Sequence, residues 1–342
     1  MGKFRIAILI AALAAAAQAQ TARIMTQNMD DGTNNSYLLA FANTNPKVGV
    51  DLTLAEIVAS NIPERAWRLA GSIAAERPDI VGLQEVSLWR FGLTPATADF
   101  VLYDQLKLLL AALAARGVPY RAVAVNNLTD IALPATVGAV RLTDRDALLV
   151  RSDLPASFQV RNPQAHVFAA GLPILGFQIQ AGWISADVQV ESKVFHLVST
   201  HLTSAIPGVP ATTAVQVAQA QELVNALQSD TDPVILSGDF NSDANHGNGP
   251  DATPTFALIE SAGYADDWAS VHPSDPGPTW PVFLQDQTPP KFFAPSTPFE
   301  RIDLFFSKGL QVMDETRIIT PAPETPPGFA SDHAGVITTL RP

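Results

Sequence analysis

The sequence of 342 residues contains no cysteine. No disulfide bond can therefore stabilise the folded chain, and no thiolate is present to form the kind of metal site that zinc prefers. Stability has to come from a hydrophobic core, for which apolar residues (47% of the chain) are sufficient. The 27 prolines add to stability because they reduce the conformational freedom of the unfolded chain.

Basic residues are also scarce, with 21 Lys and Arg against 33 Asp and Glu. Two of the basic residues, Lys3 and Arg5, lie at the very start, so the rest of the chain is more acidic still. An acidic protein is poorly suited to tight, sequence-independent binding of a long polyanion through phosphate contacts. A nuclease that relies on a metal ion and a local basic rim is not excluded.

Only one long apolar run is present, and it lies at the start of the chain. It follows Lys3 and Arg5 and ends at Ala17-Gln18-Ala19, the small-residue pattern of a signal peptidase site. The run is too short to span a bilayer comfortably, although a retained anchor helix is the alternative. We therefore predict a secretory signal peptide over residues 1–19, a mature protein that begins at Gln20, and a secreted or periplasmic location.

Helix and strand patterns alternate along the chain, which predicts an α/β fold. Two stretches, 78–85 and 232–239, share one arrangement: each follows an amphipathic helix, passes a proline-marked turn and ends a short apolar strand in a carboxylate. The preceding helices are predicted at 64–76 and 214–228. This repetition suggests two related halves around a shared site.

The remaining patterns predict a mixed sheet system. The turn Glu191-Ser192-Lys193 joins two strands that should pair antiparallel. A capping box at Thr53-Leu54-Ala55-Glu56 predicts the start of a short helix. No linker is visible, so we expect one domain over residues 20–342, as a monomer. Further strands are predicted at 23–29, 120–125, 146–150, 183–190, 194–199, 301–306 and 335–340, a helix at 100–115, and irregular segments at 30–50, 152–182 and 266–300.

Polar side chains recur where an apolar run meets a loop, and this is the main functional signal. In the segment Val234–Ser242, Gly238 lets the backbone turn, and Asp239 and Asn241 follow on alternate positions, so both side chains point the same way. Each such residue could instead cap a turn or form a salt bridge, but those alternatives do not explain the recurrence. The full set is Asn28, Glu85, His201, Asp239, Asn241, Asp303, Asp332 and His333.

The residue types in this set indicate one kind of chemistry. Carboxylate and amide oxygens are the ligands that suit Mg²⁺, Mn²⁺ or Ca²⁺, whereas a site of histidines or thiolates would suit zinc. A cation held by one or two carboxylates, with histidines left free beside it, fits phosphate-ester hydrolysis. The cation neutralises a phosphate oxygen while the histidines move protons or bind the phosphate.

The order of these motifs resembles that of the endonuclease/exonuclease/phosphatase superfamily. Any one motif alone would be a weak signal, but the ordered set is specific and extends over most of the chain after residue 19. The resemblance implies a four-layer sandwich, with two mixed sheets packed face to face and helices outside, and a magnesium-dependent phosphoesterase site at one end. The motifs are Gln27-Asn28-Met29, Leu83-Gln84-Glu85-Val86, Ser199-Thr200-His201-Leu202, Gly238-Asp239-Phe240-Asn241, Arg301-Ile302-Asp303 and Ser331-Asp332-His333.

The resemblance also implies a role for each matching position around the metal ion and the water. Glu85 is similar to the principal metal ligand of the family, with Asn28 and Asp332 nearby. Asp239 resembles the residue that orients or deprotonates the attacking water, and Asn241 resembles one that holds the phosphate.

For the two histidines, the resemblance implies roles at the phosphate. His333 is similar to the histidine that faces the phosphate, oriented by Asp303 in a carboxylate–imidazole pair. His201 matches the second histidine of secreted nucleases and sphingomyelinases. Its orienting acid is open between Asp144, the first candidate, and Asp146. Members of the superfamily divide these roles differently.

The substrate is a phosphate ester of a type that the motifs do not specify. Superfamily members include secreted deoxyribonucleases, abasic-site endonucleases, sphingomyelinases and inositol-phosphate phosphatases, and an export signal disfavours an intracellular repair role. Our leading hypothesis is an exported phosphodiesterase of the nuclease type, acting on nucleic acid or a nucleotide. The alternatives are a phospholipid phosphodiesterase or a phosphatase, and a binding module without activity.

Two groups of residues bear on this choice. Aromatic residues in 88–91, 279–284 and 291–294 could contact a lipid or could pack a loop on its own small core. A nuclease needs basic residues around its cleft, and few are available. The candidates are Arg90, Arg145, Arg151, Lys291 and Arg301.

Overall fold

The computed structural model describes residues 21–342 apart from 175, 207, 246, 248, 250 and 290, so the predicted signal peptide lies outside the described residues. In chain order the strands are β1 (Ala22–Asn28), β2 (Ile80–Gln84), β3 (Leu88–Gly92), β4 (Phe100–Asp104), β5 (Tyr120–Pro134), β6 (Ala139–Arg151), β7 (Phe158–Val167), β8 (Leu172–Ile174), β9 (Phe177–Ile179), β10 (Gly182–Val190), β11 (Lys193–His201), β12 (Val234–Asp239), β13 (Ala265–Asp266), β14 (Phe283–Thr288), β15 (Lys291–Pro295), β16 (Asp303–Lys308), β17 (Gln311–Ile318) and β18 (Gly335–Arg341). The α-helices are α1 (Ser36–Phe41), α2 (Pro46–Ala59), α3 (Ile62–Glu76), α4 (Gln105–Ala115), α5 (Pro210–Ala226), α6 (Thr255–Ser261) and α7 (Asp267–Val271). None of these helices is both long and apolar enough to cross a membrane.

Two large mixed sheets form the centre of the molecule. The first has the order β17-β18-β1-β2-β6-β3-β4, with β5 paired to β6, and the second has the order β13-β16-β12-β11-β10-β7. The pairs β1–β2 and β11–β12 are parallel, and the other pairs within these sheets are antiparallel. Two small hairpins, β8–β9 and β14–β15, stand outside both sheets.

Hydrophobic packing arranges these elements in four layers, which confirms the predicted sandwich. The apolar residues between the two sheets include Ile24, Leu148, Leu197, Ile235 and Phe305, all buried. On the outer face of the first sheet lie α3 and α4, and on the outer face of the second lie α5 and α6. Each sheet therefore has one apolar face against its partner and one against helices, as the near-continuous apolar runs of the central strands require.

The two halves expected from the sequence are visible in the topology. In the first sheet β1 and β2 are parallel neighbours with α3 between them in the chain, and Asn28 is in register with Gln84. In the second, β11 and β12 are parallel neighbours with α5 between them, and His201 is in register with Asp239. The same helix–strand unit thus brings a polar strand end to one edge of each sheet.

Several segments expected to be irregular have regular structure. Residues 30–50 contain α1 and the start of α2, so Thr53 and Glu56 lie inside a helix rather than forming a cap at its start. Glu56 instead accepts a hydrogen bond from the Thr33 hydroxyl. The expected helix 100–115 begins as strand β4 and becomes helical only at Gln105, after Asp104 caps it.

The same correction applies to the surface segments of the second half. Residues 152–182 contain β7, β8 and β9, and residues 266–300 contain α7 and the β14–β15 hairpin. No sequence pattern predicts strand β17. These strands are short or lie at sheet edges, where the apolar alternation that reveals a strand is weak.

A buried carboxyl group in α7 gives a prediction about stability and pH. Asp267 is fully buried, accepts a hydrogen bond from Ser307 Oγ at 2.6 Å, and has no partner for Oδ2. Burial raises the pKa of Asp267 from 3.8 to about 7. Between these two pKa values Asp267 is ionised in the unfolded chain but protonated in the folded one, so this residue reduces stability progressively as pH rises from roughly 4 to 7 and no further above that.

We expect Asp267→Asn, which cannot ionise but keeps the oxygen that Ser307 binds, to gain stability relative to wild type over this pH range. The gain is up to about 4 kcal/mol if the whole shift is expressed. Urea unfolding from pH 4 to 8 measures it, with the exposed Asp232→Asn as the charge-matched control. A constant difference between Asp267→Asn and wild type across this range would contradict the prediction.

Candidate active site

Strand polarity brings the predicted site residues to one end of the sandwich. Parallel strands β1, β2, β11 and β12 finish there, and antiparallel strands β16 and β18 begin there. A single cavity at this end is lined by Glu85, Asp144, His201, Asp239, Asn241, Asp332 and His333. Asn28 and Asp303 lie behind these residues, in contact with them.

Asp239 lies at the centre of the site. Its Oδ2 accepts a hydrogen bond from Asn28 Nδ2 at 3.1 Å and lies 3.6 Å from His201 Nε2 and 3.8 Å from His333 Nε2. Its Oδ1 accepts from the backbone N–H of Asn241 at 2.9 Å. One carboxylate oxygen therefore faces both imidazoles, while the other is fixed by the turn that follows β12.

Asn28 connects the two halves of the site. Besides Asp239, its Nδ2 donates to Glu85 Oε1 at 3.0 Å, and its Oδ1 accepts from the backbone N–H of Asp30 at 2.9 Å. That backbone donor fixes which way the amide points. In this geometry Asn28 positions two carboxylates through its nitrogen, and its expected role as a metal ligand stays a prediction.

Glu85 has the environment expected of a cation ligand. It follows β2 with φ of 53°, a left-handed conformation that is uncommon outside glycine. Its Oε1 and Oε2 accept hydrogen bonds from Asn28 and from the backbone N–H of Asp31 (2.8 Å), and no Lys or Arg among the described residues forms an ion pair with it. Its negative charge is therefore oriented but not neutralised.

His333 and Asp303 form the predicted carboxylate–imidazole pair. His333 Nδ1 lies 2.9 Å from Asp303 Oδ2, and both side chains are buried. Burial lowers the pKa of His333, but the carboxylates of Asp303, Asp332 and Asp239 outweigh it and raise the pKa well above the usual value. The pairing directs Nε2 towards Asp239 and the cavity.

The surroundings of Asp332 show how much negative charge the site concentrates. Trp280 Nε1 donates to Asp332 Oδ2 at 3.2 Å. Burial, together with the carboxylates of Asp30 and Glu85 and against the opposing effect of His333, raises the pKa of Asp332 to about 8. A divalent cation would offset this repulsion, so the donor set fits the hard cation that the sequence predicts.

Unpartnered carboxylate oxygens at the site support the same fit. Oδ1 of Asp31 and Oδ1 of Asp144 are buried without a hydrogen-bond partner, and both residues line the cavity. Asp239, Asp303 and His333 also present ligand atoms within 4.8 Å of one another. Because His333 Nδ1 is already bonded to Asp303, this second group fits a proton-handling relay better than a metal site.

His201 has several acidic neighbours besides Asp239, and Asp144 and Asp146 are the two candidates for its orienting acid. Burial raises the pKa of Asp144 to about 6 and the pKa of Asp146 well above its usual value, although the nearby imidazole of His201 lowers both. No hydrogen bond joins the imidazole to either residue within the described chain, and both Asp146 oxygens lack any partner. The choice between Asp144 and Asp146 therefore stays open.

Asn241 combines structural contacts with a free donor. It lies in a left-handed conformation (φ 47°), and its Nδ2 donates to the Leu202 carbonyl at 2.8 Å. A carboxamide nitrogen carries two hydrogens, so one remains for a ligand in the cavity.

Several residues that help to form the site carry no motif in the sequence. Asp30 and Asp31 follow β1 in a segment that the sequence predicts to be irregular, yet Asp30 forms a buried ion pair with Arg65 at 3.0 Å. Arg65 also donates to the carbonyls of Met29 and Ala330. It therefore ties the loop after β1 to the loop that carries Asp332 and His333. An arginine on the buried face of a predicted helix was the available signal.

Comparison with known proteins agrees with this geometry. The sequence profile described as the Endonuclease/Exonuclease/phosphatase family matches residues 48–333, most of the chain. The chain belongs to this family, whose members hydrolyse phosphate esters and generally use a divalent metal ion. No curated protein sequence matches it.

Solved structures of the same fold are distant in sequence. An endonuclease/exonuclease/phosphatase from Beutenbergia cavernae is 23% identical, with a TM-score of 0.57, over 94% of this chain and 71% of that one. A humanised TDP2 from D. rerio is 15% identical (TM-score 0.54; 95% and 100% covered). A mannosyl-6-phosphatase from Bacteroides thetaiotaomicron is also 15% identical (TM-score 0.55; 93% and 99% covered). At these identities the likeness shows the fold alone.

The charge arrangement around Glu85 predicts a measurable response to cations. We expect Mg²⁺ or Mn²⁺ to raise the melting temperature of the wild-type protein, since a ligand at a hundred times its Kd stabilises by about 2.7 kcal/mol. Glu85→Gln should lose most of this response, whereas Glu76→Gln, which removes the acid of a surface ion pair with Arg23, should keep it. Equal shifts in the two variants, measured by calorimetry, would contradict the assignment.

Proposed function

We propose that the protein is a metal-dependent phosphodiesterase whose reaction takes place around Asp239. The observation that supports this most directly is the convergence of two histidine Nε2 atoms and the Asn28 amide on one oxygen of Asp239. Mg²⁺ is the expected cofactor, with Mn²⁺ or Ca²⁺ as alternatives. When bound by Glu85 and Asp332, it would neutralise charge on the phosphate.

The other side chains at the site have separate roles in the proposed reaction. Asp239 orients a water molecule and accepts its proton, because its Oδ2 lies at the cavity and its other oxygen is fixed. His333, held by Asp303, and His201 present Nε2 atoms that can bind phosphate oxygens or protonate a leaving group. Asn241 contributes its second amide hydrogen to the phosphate.

The basic residues named as cleft candidates weigh against a long nucleic acid as substrate. Arg145 and Arg301 are buried in ion pairs with Asp104 and Asp266, and Arg151 pairs with Asp79 and Asp153. Arg90 pairs with Asp99 and Asp130. None of these arginines lines the cavity. Of the expected phosphodiesters, this distribution of charge favours a small or amphiphilic one.

We also propose that the protein acts outside the cytoplasm, on the strength of Lys3, Arg5 and the Ala17-Gln18-Ala19 pattern. Expression with its own N-terminus in a bacterial host should yield an exported protein that begins at Gln20. N-terminal sequencing of the exported fraction checks this. A full-length protein retained in the cell would count against export.

The Asp303–His333 pair gives a sharp test of the proposed chemistry. With Mg²⁺ and bis-para-nitrophenyl phosphate, Asp239→Asn should lower kcat by roughly 10²- to 10⁴-fold, the range typical of a lost general base. Asp303→Asn should lower kcat by about 10²-fold, because His333 loses the partner that orients it.

A matched control for this test exists far from the cavity. His196 Nδ1 pairs with Asp187 Oδ1 at 3.0 Å in another carboxylate–imidazole pair, on β10 and β11. Asp187→Asn should leave kcat within about twofold of wild type. If Asp187→Asn and Asp303→Asn lower kcat equally, the loss reflects stability and not catalysis. If Asp239→Asn retains full activity, the proposal is wrong.

A further inference from the structure

The cavity that contains the site is much larger than a phosphate group needs. Its volume is about 650 Å³, within the range of pockets that hold a whole small molecule. Its polar part is the active site just described. Away from that site the wall is mostly apolar, with scattered Thr, Asn, Gln and Ser side chains, and its aliphatic part is contributed by residues of β5 and β6, the β8–β9 hairpin and α1.

The β8–β9 hairpin shows how this wall is built. Leu172 pairs with Ile179 and Ile174 pairs with Phe177, so these four side chains share one face of the hairpin. All four line the cavity, whereas Pro173 and Gln178, which pair on the other face, do not. Ile131 of β5 and Leu142 of β6 line the same cavity. The hairpin belongs to neither large sheet, and its structural role is to form this wall.

The carboxylates that line the cavity far outnumber its basic side chains. Among the described residues no Lys or Arg lines it, whereas Asp30, Asp31, Glu85, Asp144, Asp239, Asp251 and Asp332 do. A bound cation can compensate one phosphate group, but nothing described in the wall compensates further phosphates. A ligand that extends along this wall therefore carries no additional anionic groups.

We propose that the aliphatic wall is a subsite for the hydrocarbon chain of the substrate, so that the protein hydrolyses an amphiphilic phosphodiester with a single phosphate next to an alkyl or acyl chain. This inference rests on the proposed function, and it names the substrate class of the same site. A nucleotide fits the wall less well, because bases are bound by aromatic stacking and polar edges. Phe177 is the one aromatic side chain on the hairpin's cavity face, and the two tryptophans in the described lining, Trp89 and Trp280, donate hydrogen bonds to Asp31 and Asp332 beside the polar site.

Catalytic efficiency should depend on chain length. The test uses para-nitrophenyl phosphodiesters whose second ester group is methyl, butyl or octyl, with Mg²⁺, each kept below the concentration at which it aggregates. We expect kcat/KM to rise with chain length by up to about fourfold per methylene group, because each buried methylene gains hydrophobic free energy. Equal kcat/KM for the methyl and octyl esters would overturn the subsite.

Variants on the two faces of the hairpin locate the effect. Ile174→Asn and Phe177→Ser should lower kcat/KM for the octyl ester at least tenfold and leave the methyl ester within twofold. Pro173→Ser, on the opposite face, should leave kcat/KM unchanged for both esters. A chain-length effect that survives in Ile174→Asn and Phe177→Ser would place the chain elsewhere and overturn the assignment to this wall.

A binding measurement separates failure of the subsite from failure of the proposed function. Calorimetric titration with decyl phosphorylcholine below its aggregation concentration should show binding to wild type that Phe177→Ser weakens at least fivefold. Binding without hydrolysis of any ester would overturn the proposed function and keep the subsite. Hydrolysis of the methyl ester, or nicking of plasmid DNA, without binding of the decyl compound would keep the proposed function and overturn the subsite.

Discussion

The structure depends on the way the two sheets pack face to face, with inward positions that change character along each strand. Far from the site these positions are apolar, then they become small or hydroxylic, and at the site they are ionisable or amide groups. Gly82 illustrates the middle zone, since a Cβ there would lie 2.4 Å from Ser199 Oγ of the opposite sheet. The inward series are Ile24-Thr26-Asn28 on β1, Ile80-Gly82-Gln84 on β2, Leu197-Ser199-His201 on β11 and Ile235-Ser237-Asp239 on β12.

This gradient explains why a rigid sandwich can hold so many acids near one another. The apolar half supplies the stability, and the polar half places carboxylates where water is largely excluded. Burial then raises the pKa of Asp332 to about 8 and opposes the ionisation of Asp31 and Asp239. The site is therefore electrostatically incomplete as a set of side chains, and a cation of the type that the family uses would complete it.

The sequence was enough to predict the fold, through its resemblance to the family, and to predict that most candidate site residues lie at strand ends, because the central strands have strong signals. The central strands are continuous apolar runs that end in a polar motif, so Glu85, Asp239 and His333 could be placed at strand ends without a structure. Residues that act through loops were harder to find. Asp30 and Arg65 are 35 positions apart, and neither pattern nor propensity indicates that they form a buried pair.

The cavity wall was beyond sequence analysis for a different physical reason. Strands β8 and β9 have three residues each, too few for alternation to separate an inner face from an outer one. Ile174 and Phe177 form a wall only together with residues of β5 and β6, which are distant in the sequence and line the same cavity. In the aromatic segments predicted to contact a lipid or to pack a loop, Phe283 and Phe293 are buried against each other with ring centroids 5.8 Å apart, whereas Trp280 lines the cavity.

In this chain the two large sheets and the surface segments have different roles. The sheets fix the positions of Asp239 and both histidines, and a fold by itself does not specify which phosphate ester is bound. The hairpin and the loops decide what else fits beside the phosphate. In this chain that space is mostly apolar and its described lining contains no Lys or Arg, so discrimination between substrates rests on apolar surface rather than on basic side chains of that kind.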